Sequence, residues 1–226
     1  MYVHVNAATS ADGKLASRDR SQLRISGPED FDRVDAIRAD SDAVAVGVGT
    51  VLADDPSLTV TDEERVADRR ADGGSPQPAR VVFDSRARTP TDAVVLDDAA
   101  TTYVLVAEAA PEPRREALAA AGAAVLVAGT ERVAPATGLA ALADRGVDRL
   151  MVEGGGELIF SLFEAGLVDE LTVYVGAMVV GGRGAPTLAD GEGFVEAFPE
   201  LSLDGVERLD DGVLLRWTVE GQPDGA

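Results

Sequence analysis

The stretch LMVEGGGELIFSLFEAGLVDELTVYVG, residues 150–176, decides the fold. Leu150-Met151-Val152 is a short apolar run of the kind found in a strand buried on both faces. Three glycines, Gly154, Gly155 and Gly156, then break the strand, and apolar residues at helical spacing predict a helix over 156–165. A second apolar run, 170–176, predicts another strand. Strand, glycine turn, helix and strand in this order are the unit of a parallel α/β sheet.

Working outward, the same alternation continues upstream. Val3 to Thr9 reads as a strand, and Pro28, Glu29 and Asp30 open a helix over 28–40. Residues 43–49 form a buried strand that ends in a tight turn at Gly49-Thr50. The charged, Gly- and Pro-containing residues 62–79 read as a long mobile surface loop. Strands at 80–84, 103–106 and 123–127 follow, with helices near 112–121 and 136–145. Downstream, runs 201–209 and 213–219 flank Asp210-Asp211-Gly212, a hairpin turn. The expected fold is α/β: a mainly parallel sheet flanked by helices, with an antiparallel C-terminal edge. No repeat or linker divides it, so residues 1–226 read as one domain.

Composition narrows the function. Cysteine is absent and there is a single histidine, which excludes disulfides, thiolate or multi-histidine metal sites and cysteine nucleophiles; no metal is expected. His4 reads as a strand residue with a satisfied ring. Forty acidic residues against 20 basic give a net charge of −20, which argues against nucleic-acid binding. No signal-peptide pattern and no membrane-length apolar run are present, so a soluble cytoplasmic protein is expected, with no membrane partner. Lys14 is the one lysine; every other basic residue is arginine. Many carboxylates and almost no lysine fit a halophilic, salt-rich cytoplasm. One retained lysine among arginines is either chance or a position that needs a compact, titratable ammonium.

Four places could carry chemistry. Gly154-Gly155-Gly156 lets a backbone approach a ligand, and the following helix N-terminus favours phosphate; a tight turn without a ligand is the plain alternative. It is neither the G-x-G-x-x-G fingerprint nor a Walker A loop. Thr50 can cap a helix and meet a phosphate, with Asp54 one turn on along the same face. Asp84-Ser85-Arg86 ends a buried strand, where ligands of open α/β sheets bind. Gly181 to Thr187 is a flexible loop able to close over a ligand.

Together the segments ADGKLA, IRADSDAVAVGVGTVLADDPSLTV, VVFDS, VEGGGELIFSLFEAGLVDEL and GGRGAPTL resemble the riboflavin-pathway reductases of archaea and fungi, over about residues 3–219. These act on 2,5-diamino-6-ribosylamino-4(3H)-pyrimidinone 5′-phosphate and are relatives of the reductase half of the bacterial bifunctional deaminase–reductase. The resemblance implies a dihydrofolate-reductase-like fold, NADPH as cofactor (NADH is possible), a phosphorylated pyrimidine as substrate and a homodimer. It implies cofactor contacts at Thr50, Asp54, Ser85 and from Gly155 to Ser161, with Gly154, Glu157 and Leu158 in the same turn. It places Ser21, Arg38 and Glu153 toward substrate. Asp12 is expected to shape the turn that presents Lys14, and Lys14 to act on the ribose. One departure is Thr61, where some relatives carry a basic residue; Arg38, helped by Arg65, then takes more of the substrate phosphate. With no cysteine there is no zinc deaminase motif here, which favours the diamino substrate. Another reductase of the same fold, taking dihydrofolate or the deaminated ribosyl phosphate, and a non-catalytic nucleotide sensor are the alternatives.

Overall fold

A computed structural model describes residues 1–221. Nine strands form one mixed, mostly parallel sheet flanked by helices, in the order β5-β4-β3-β2-β6-β1-β7-β9-β8. The chain divides into two compact units, one built of Asp35–Met151 with Met1, the other of Tyr2–Val34 and residues 152 onward.

In the first unit β2 (Ala43–Gly47), β3 (Ala79–Phe83), β4 (Thr102–Val106) and β5 (Ala124–Val127) are parallel neighbours. Ala43 to Val46 are fully buried, as are Val81, Val82 and Val104 to Val106. These runs are apolar throughout, not alternating, because both faces of the sheet are covered. Helix α4 (Glu112–Ala120) is the crossover from β4 to β5, and α5 (Pro135–Ala143) follows β5, with Leu118, Leu139 and Leu142 buried. Parallel strands need such crossovers, and all four then end at the same edge of the sheet. That edge carries Gly47, Phe83 and Val106, and ligands of open α/β sheets bind at such edges.

Two expectations fail in this unit. Residues 63–71 are not loop but α3 (Glu63–Ala71). Asp62 caps it by accepting the Arg65 N–H at 2.9 Å, Glu63 and Glu64 sit in its first turn, and Arg69 and Arg70 in its last. Arg69 also ties the helix down through the Ala39 and Ser41 carbonyls. The second failure concerns Gly49-Thr50, which is no turn. Helix α2 (Val48–Asp54) starts directly from β2 with Gly47 as N-cap, so Thr50 lies inside the helix and does not cap it.

In the second unit β1 (Tyr2–Ser10) pairs in parallel with β7 (Glu170–Gly176). The end of β6 (Arg149–Gly154) leads through the glycines into α6 (Gly156–Glu164), which buries Leu158, Ile159, Phe160 and Leu162. The tail supplies the antiparallel edge: β9 (Gly212–Val219) pairs with β7, and β8 (Leu201–Leu209) pairs with β9. Asp210, at φ +48 in the hairpin, reaches α1 (Pro28–Ala39) and accepts the N–H groups of Glu29 and Asp30 at 3.2 and 3.0 Å. A carboxylate from the tail thus caps a helix near the chain's start. His4 is a buried strand residue as expected, with Nε2 2.6 Å from Thr172 Oγ1, but its Nδ1 is buried and makes no hydrogen bond among the described residues, so the ring is satisfied on one side. Among the described residues no helix is long and apolar enough to cross a membrane, and no cluster of residues is able to hold a metal.

Candidate active site

The second unit gathers the sequence's strongest signals around one loop, residues 178–190. Asp12 accepts the Val180 and Gly181 N–H groups at 2.9 and 2.7 Å and the Ser10 hydroxyl at 2.7 Å. The Val180 N–H, with Ser10 and Gly181 behind it, holds the Asp12 carboxyl at about 2. Because the folded value lies below the ordinary 3.8, this tie is complete above that value and is lost as pH falls through about 2. The Ala11 N–H donates to the Met178 carbonyl at 2.8 Å, and the Leu15 N–H to the Pro186 carbonyl at 2.9 Å. Lys14 forms an antiparallel bridge with Thr187, and its Nζ donates to the Ala185 carbonyl at 3.4 Å. The ammonium is half-buried and carries three donors, so one hydrogen bond leaves capacity for a ligand oxygen.

The far end of the same loop docks on the glycines. The Asp190 N–H donates to the Gly156 carbonyl at 3.1 Å, and the Asp190 carboxylate holds both the N–H and hydroxyl of Thr187. A Cβ on Gly156 would lie 2.3 Å from the Thr187 carbonyl oxygen. The expected free flap at Gly181–Thr187 is therefore an anchored strap. Gly154 has φ +129, a value side chains rarely adopt, and the Gly154–Gly155 peptide is cis. Gly155 is the N-cap of α6 and offers no side-chain cap. Its carbonyl accepts the Leu158 and Ile159 N–H groups at 2.9 and 3.1 Å. Glu157 is exposed in the first turn and Glu153 is half-buried. Ser21 lies apart from these ties, exposed, with its N–H on the Ser17 hydroxyl at 3.1 Å.

Gly156→Ala is expected to push the strap off α6 and cost about 1–3 kcal/mol, as overpacking does. Gly49→Ala, where an added Cβ meets nothing within 4 Å, is expected to hold or raise stability. Thermal melts of the two variants check the contrast; equal melting temperatures would sink it.

In the first unit Thr50 and Asp54 share one face of α2. Burial raises the Asp54 carboxyl above its ordinary value, and it has no hydrogen-bond or ion-pair partner among the described residues. Ser85 follows β3; its hydroxyl accepts the Val133 N–H at 3.0 Å and keeps its own proton to donate. Arg38 donates to the Thr59 carbonyl at 2.9 Å. Thr61 is exposed, yet its N–H and hydroxyl both donate to Asp35, and Arg65 pairs with the same carboxylate at 3.2 Å. Burial alone would raise Asp35, but these donors outweigh it and the net shift is downward. Asp35, a residue sequence reasoning passed over, thus holds Arg65 beside the segment that carries the missing basic position.

The RibD C-terminal domain family matches residues 1–215. The chain belongs to this family. Two RibD-type relatives are similar over almost their whole length, and both are named 2,5-diamino-6-ribosylamino-4(3H)-pyrimidinone 5′-phosphate reductase. That of Archaeoglobus fulgidus is 49% identical over 212 residues, 93% of this chain and 94% of the relative. That of Methanothermobacter thermautotrophicus is 45% identical over 223 residues, 97% and 99% of the two. Among solved structures, a pyrimidine reductase-like protein of Corynebacterium diphtheriae superposes with a TM-score of 0.83 at 18% identity, over 98% of this chain and 92% of that one. That likeness speaks for the fold alone.

Proposed function

We propose that this chain is the NADPH-dependent reductase that converts 2,5-diamino-6-ribosylamino-4(3H)-pyrimidinone 5′-phosphate into its ribitylamino product in riboflavin biosynthesis. The observation that carries the reading is the near full-length 49% identity to a relative of that name. We read the enzyme as a soluble cytoplasmic homodimer, its acid surplus and single lysine being suited to high salt.

The residues present suit NADPH. In the second unit α6 begins on glycines with no side-chain cap, which leaves first-turn amides for a phosphate, and Gly154 to Leu158 line that turn. In the first unit Asp54 is a desolvated carboxylate without a partner, next to the Thr50 face, and Ser85 offers a donor at the carboxyl end of β3. When bound, the nicotinamide supplies a hydride.

The substrate's C1′ must first be made electrophilic. The C1′–O4′ bond breaks, the amino nitrogen's lone pair closes a C1′=N bond, and O4′ takes a proton. Lys14 is the residue we assign to O4′ and the ribose hydroxyls, supplying charge or that proton. Hydride addition at C1′ then leaves the ribityl chain and restores the neutral amine. Asp12 positions Lys14 through the strap, because its carboxylate is already committed to Val180 and Gly181. Glu153, Ser21 and Arg38 are assigned to substrate, with Arg38 toward its phosphate.

The test is NADPH oxidation in high salt with the diamino and the deaminated ribosyl phosphates and with dihydrofolate. Fastest turnover is expected with the diamino compound. Oxidation with dihydrofolate alone, or with none of the three, would remove the reading.

A further inference from the structure

One residue of the strap takes part in two contacts at once. Thr187 forms the antiparallel bridge with Lys14, and its carbonyl oxygen lies so close to Gly156 that a Cβ there would be 2.3 Å away. Asp190 sets this residue. Its Oδ1 accepts the Thr187 N–H at 3.1 Å and the Thr187 hydroxyl as well. Its own N–H donates to the Gly156 carbonyl at 3.1 Å. Asp190 therefore grips the strap with its side chain and α6 with its backbone. The Gly156 carbonyl shares a planar peptide with the Glu157 N–H, and the two point opposite ways, so the bond also fixes the direction of a first-turn amide. On the other side of Thr187, the Leu15 N–H donates to the Pro186 carbonyl and Lys14 Nζ to the Ala185 carbonyl. A path of direct contacts thus runs from Gly156 through Asp190 and Thr187 to Lys14, all within the second unit.

Resting on the reading of Lys14 as the group that acts on O4′, we propose that Asp190 is a positioning residue. Through Thr187 it holds the Lys14 ammonium in register with the α6 turn assigned to the cofactor. The reaction needs that register. Hydride goes to C1′ and the proton to O4′, two atoms bonded to each other in the closed ring. Hydride donor and ammonium must therefore be set relative to one another, and small misplacements are costly. An ammonium on a flexible four-carbon stem does not supply such precision by itself. Asp12 secures the near end of the strap at Val180 and Gly181, which leaves the end that faces Lys14 to Asp190. Because its Oδ1 is committed to Thr187, Asp190 acts through Lys14 and not on the substrate.

The experiment measures single-turnover hydride transfer from NADPH to the diamino substrate for Asp190→Ala and Asp190→Asn, each alone and combined with Lys14→Ala. A misplaced catalytic group predicts a fall of roughly 10- to 100-fold for Asp190→Ala. Asparagine keeps an oxygen able to accept both Thr187 groups, and is expected to recover most of the rate. In the Lys14→Ala background, Asp190→Ala is expected to slow the residual reaction by less than about twofold, since residues that act as one unit do not add. Thr187→Val, which removes only the hydroxyl, is expected to give the same pattern with a smaller fall, and carries the comparison if Asp190→Ala does not fold. An equal fall in both backgrounds, or no fall with Lys14 present, overturns the assignment and leaves the functional reading standing. Wild type that does not reduce this substrate, or Lys14→Ala at the wild-type rate, overturns both.

Discussion

Lys14→Ala is expected to lower the single-turnover rate of hydride transfer by roughly 10²- to 10⁴-fold, the span of a lost general acid, with the fold unchanged. The separation of chemistry from structure is built into the turn. It is the Lys14 backbone that holds the local structure: its N–H donates to the Ser10 hydroxyl at 2.9 Å, its carbonyl accepts the Ser10 N–H at 2.9 Å, and it bridges Thr187. Alanine keeps all of these and loses one 3.4 Å contact to a carbonyl. Lys14→Arg retains the charge, but a guanidinium does not give up a proton near neutral pH and its planar fork is larger than an ammonium. Arginine is therefore expected to rescue little. Stopped-flow NADPH absorbance at saturating substrate reads the rate, and circular dichroism checks the fold. A rate equal to wild type in the alanine variant would take Lys14 out of the mechanism.

The largest stability loss is expected at Arg80. This arginine sits in a parallel strand with none of its surface exposed. Its guanidinium donates to the Val95 carbonyl at 2.9 Å, to the Val94 and Asp97 carbonyls at 3.4 and 3.3 Å, and to the Asp97 carboxylate at 2.7 Å. It fastens the one-turn 3₁₀ helix Val94–Leu96 to the sheet. Arg80→Ala would leave a large void and take one donor from each of three carbonyls, of which Val94 keeps the Asp97 N–H and Val95 the Thr102 hydroxyl, costing about 3–5 kcal/mol, chiefly from the cavity. For a chain of this size that is a fall of roughly 6–20 °C in Tm. Asp97→Ala should cost much less, about 1 kcal/mol or below, because Asp97 is half-exposed and its carboxyl is held down first by the Ala99 N–H and only then by Arg80. Calorimetry in molar salt tests the pair. Arg80→Ala melting within a degree or two of wild type would show that the 3₁₀ turn stands without it.

The parts of the fold that sequence made legible are those governed by local periodicity. The β6–glycine–α6–β7 passage and the β8–β9 hairpin follow from apolar spacing and from turn residues. Helix α3 is hidden in the sequence although its signals are present. Asp62, Glu63 and Glu64 at one end and Arg69 and Arg70 at the other make a capped, dipole-matched helix, but the Gly73, Gly74, Pro76 and Pro78 run that follows masks it as loop. Val48-Gly49 reads as strand because valine and glycine carry no helix signal, whereas the backbone coils there into α2, which buries Val48 and Val51. Charged residues that turn inward left no trace either. Arg80 and Asp35 look solvent-bound in sequence and Asp84 reads as a ligand-side strand end, and their partners at 94–97, 61–65 and 89 are fixed only by tertiary packing. In the candidate site Lys14 stood out by its rarity alone. What could not be read is the strap that holds it, because residues 10–15 and 178–187 are remote in sequence.

That remoteness bears on how the enzyme comes into being on the ribosome. Lys14 is synthesised well before the residues that seat it, Met178 to Thr187. Even β1, which leads into its turn, waits for β7 as a neighbour. A nascent chain that has not reached Thr187 therefore carries the Lys14 amine on an unfastened turn, and the site takes shape only when that remote segment arrives.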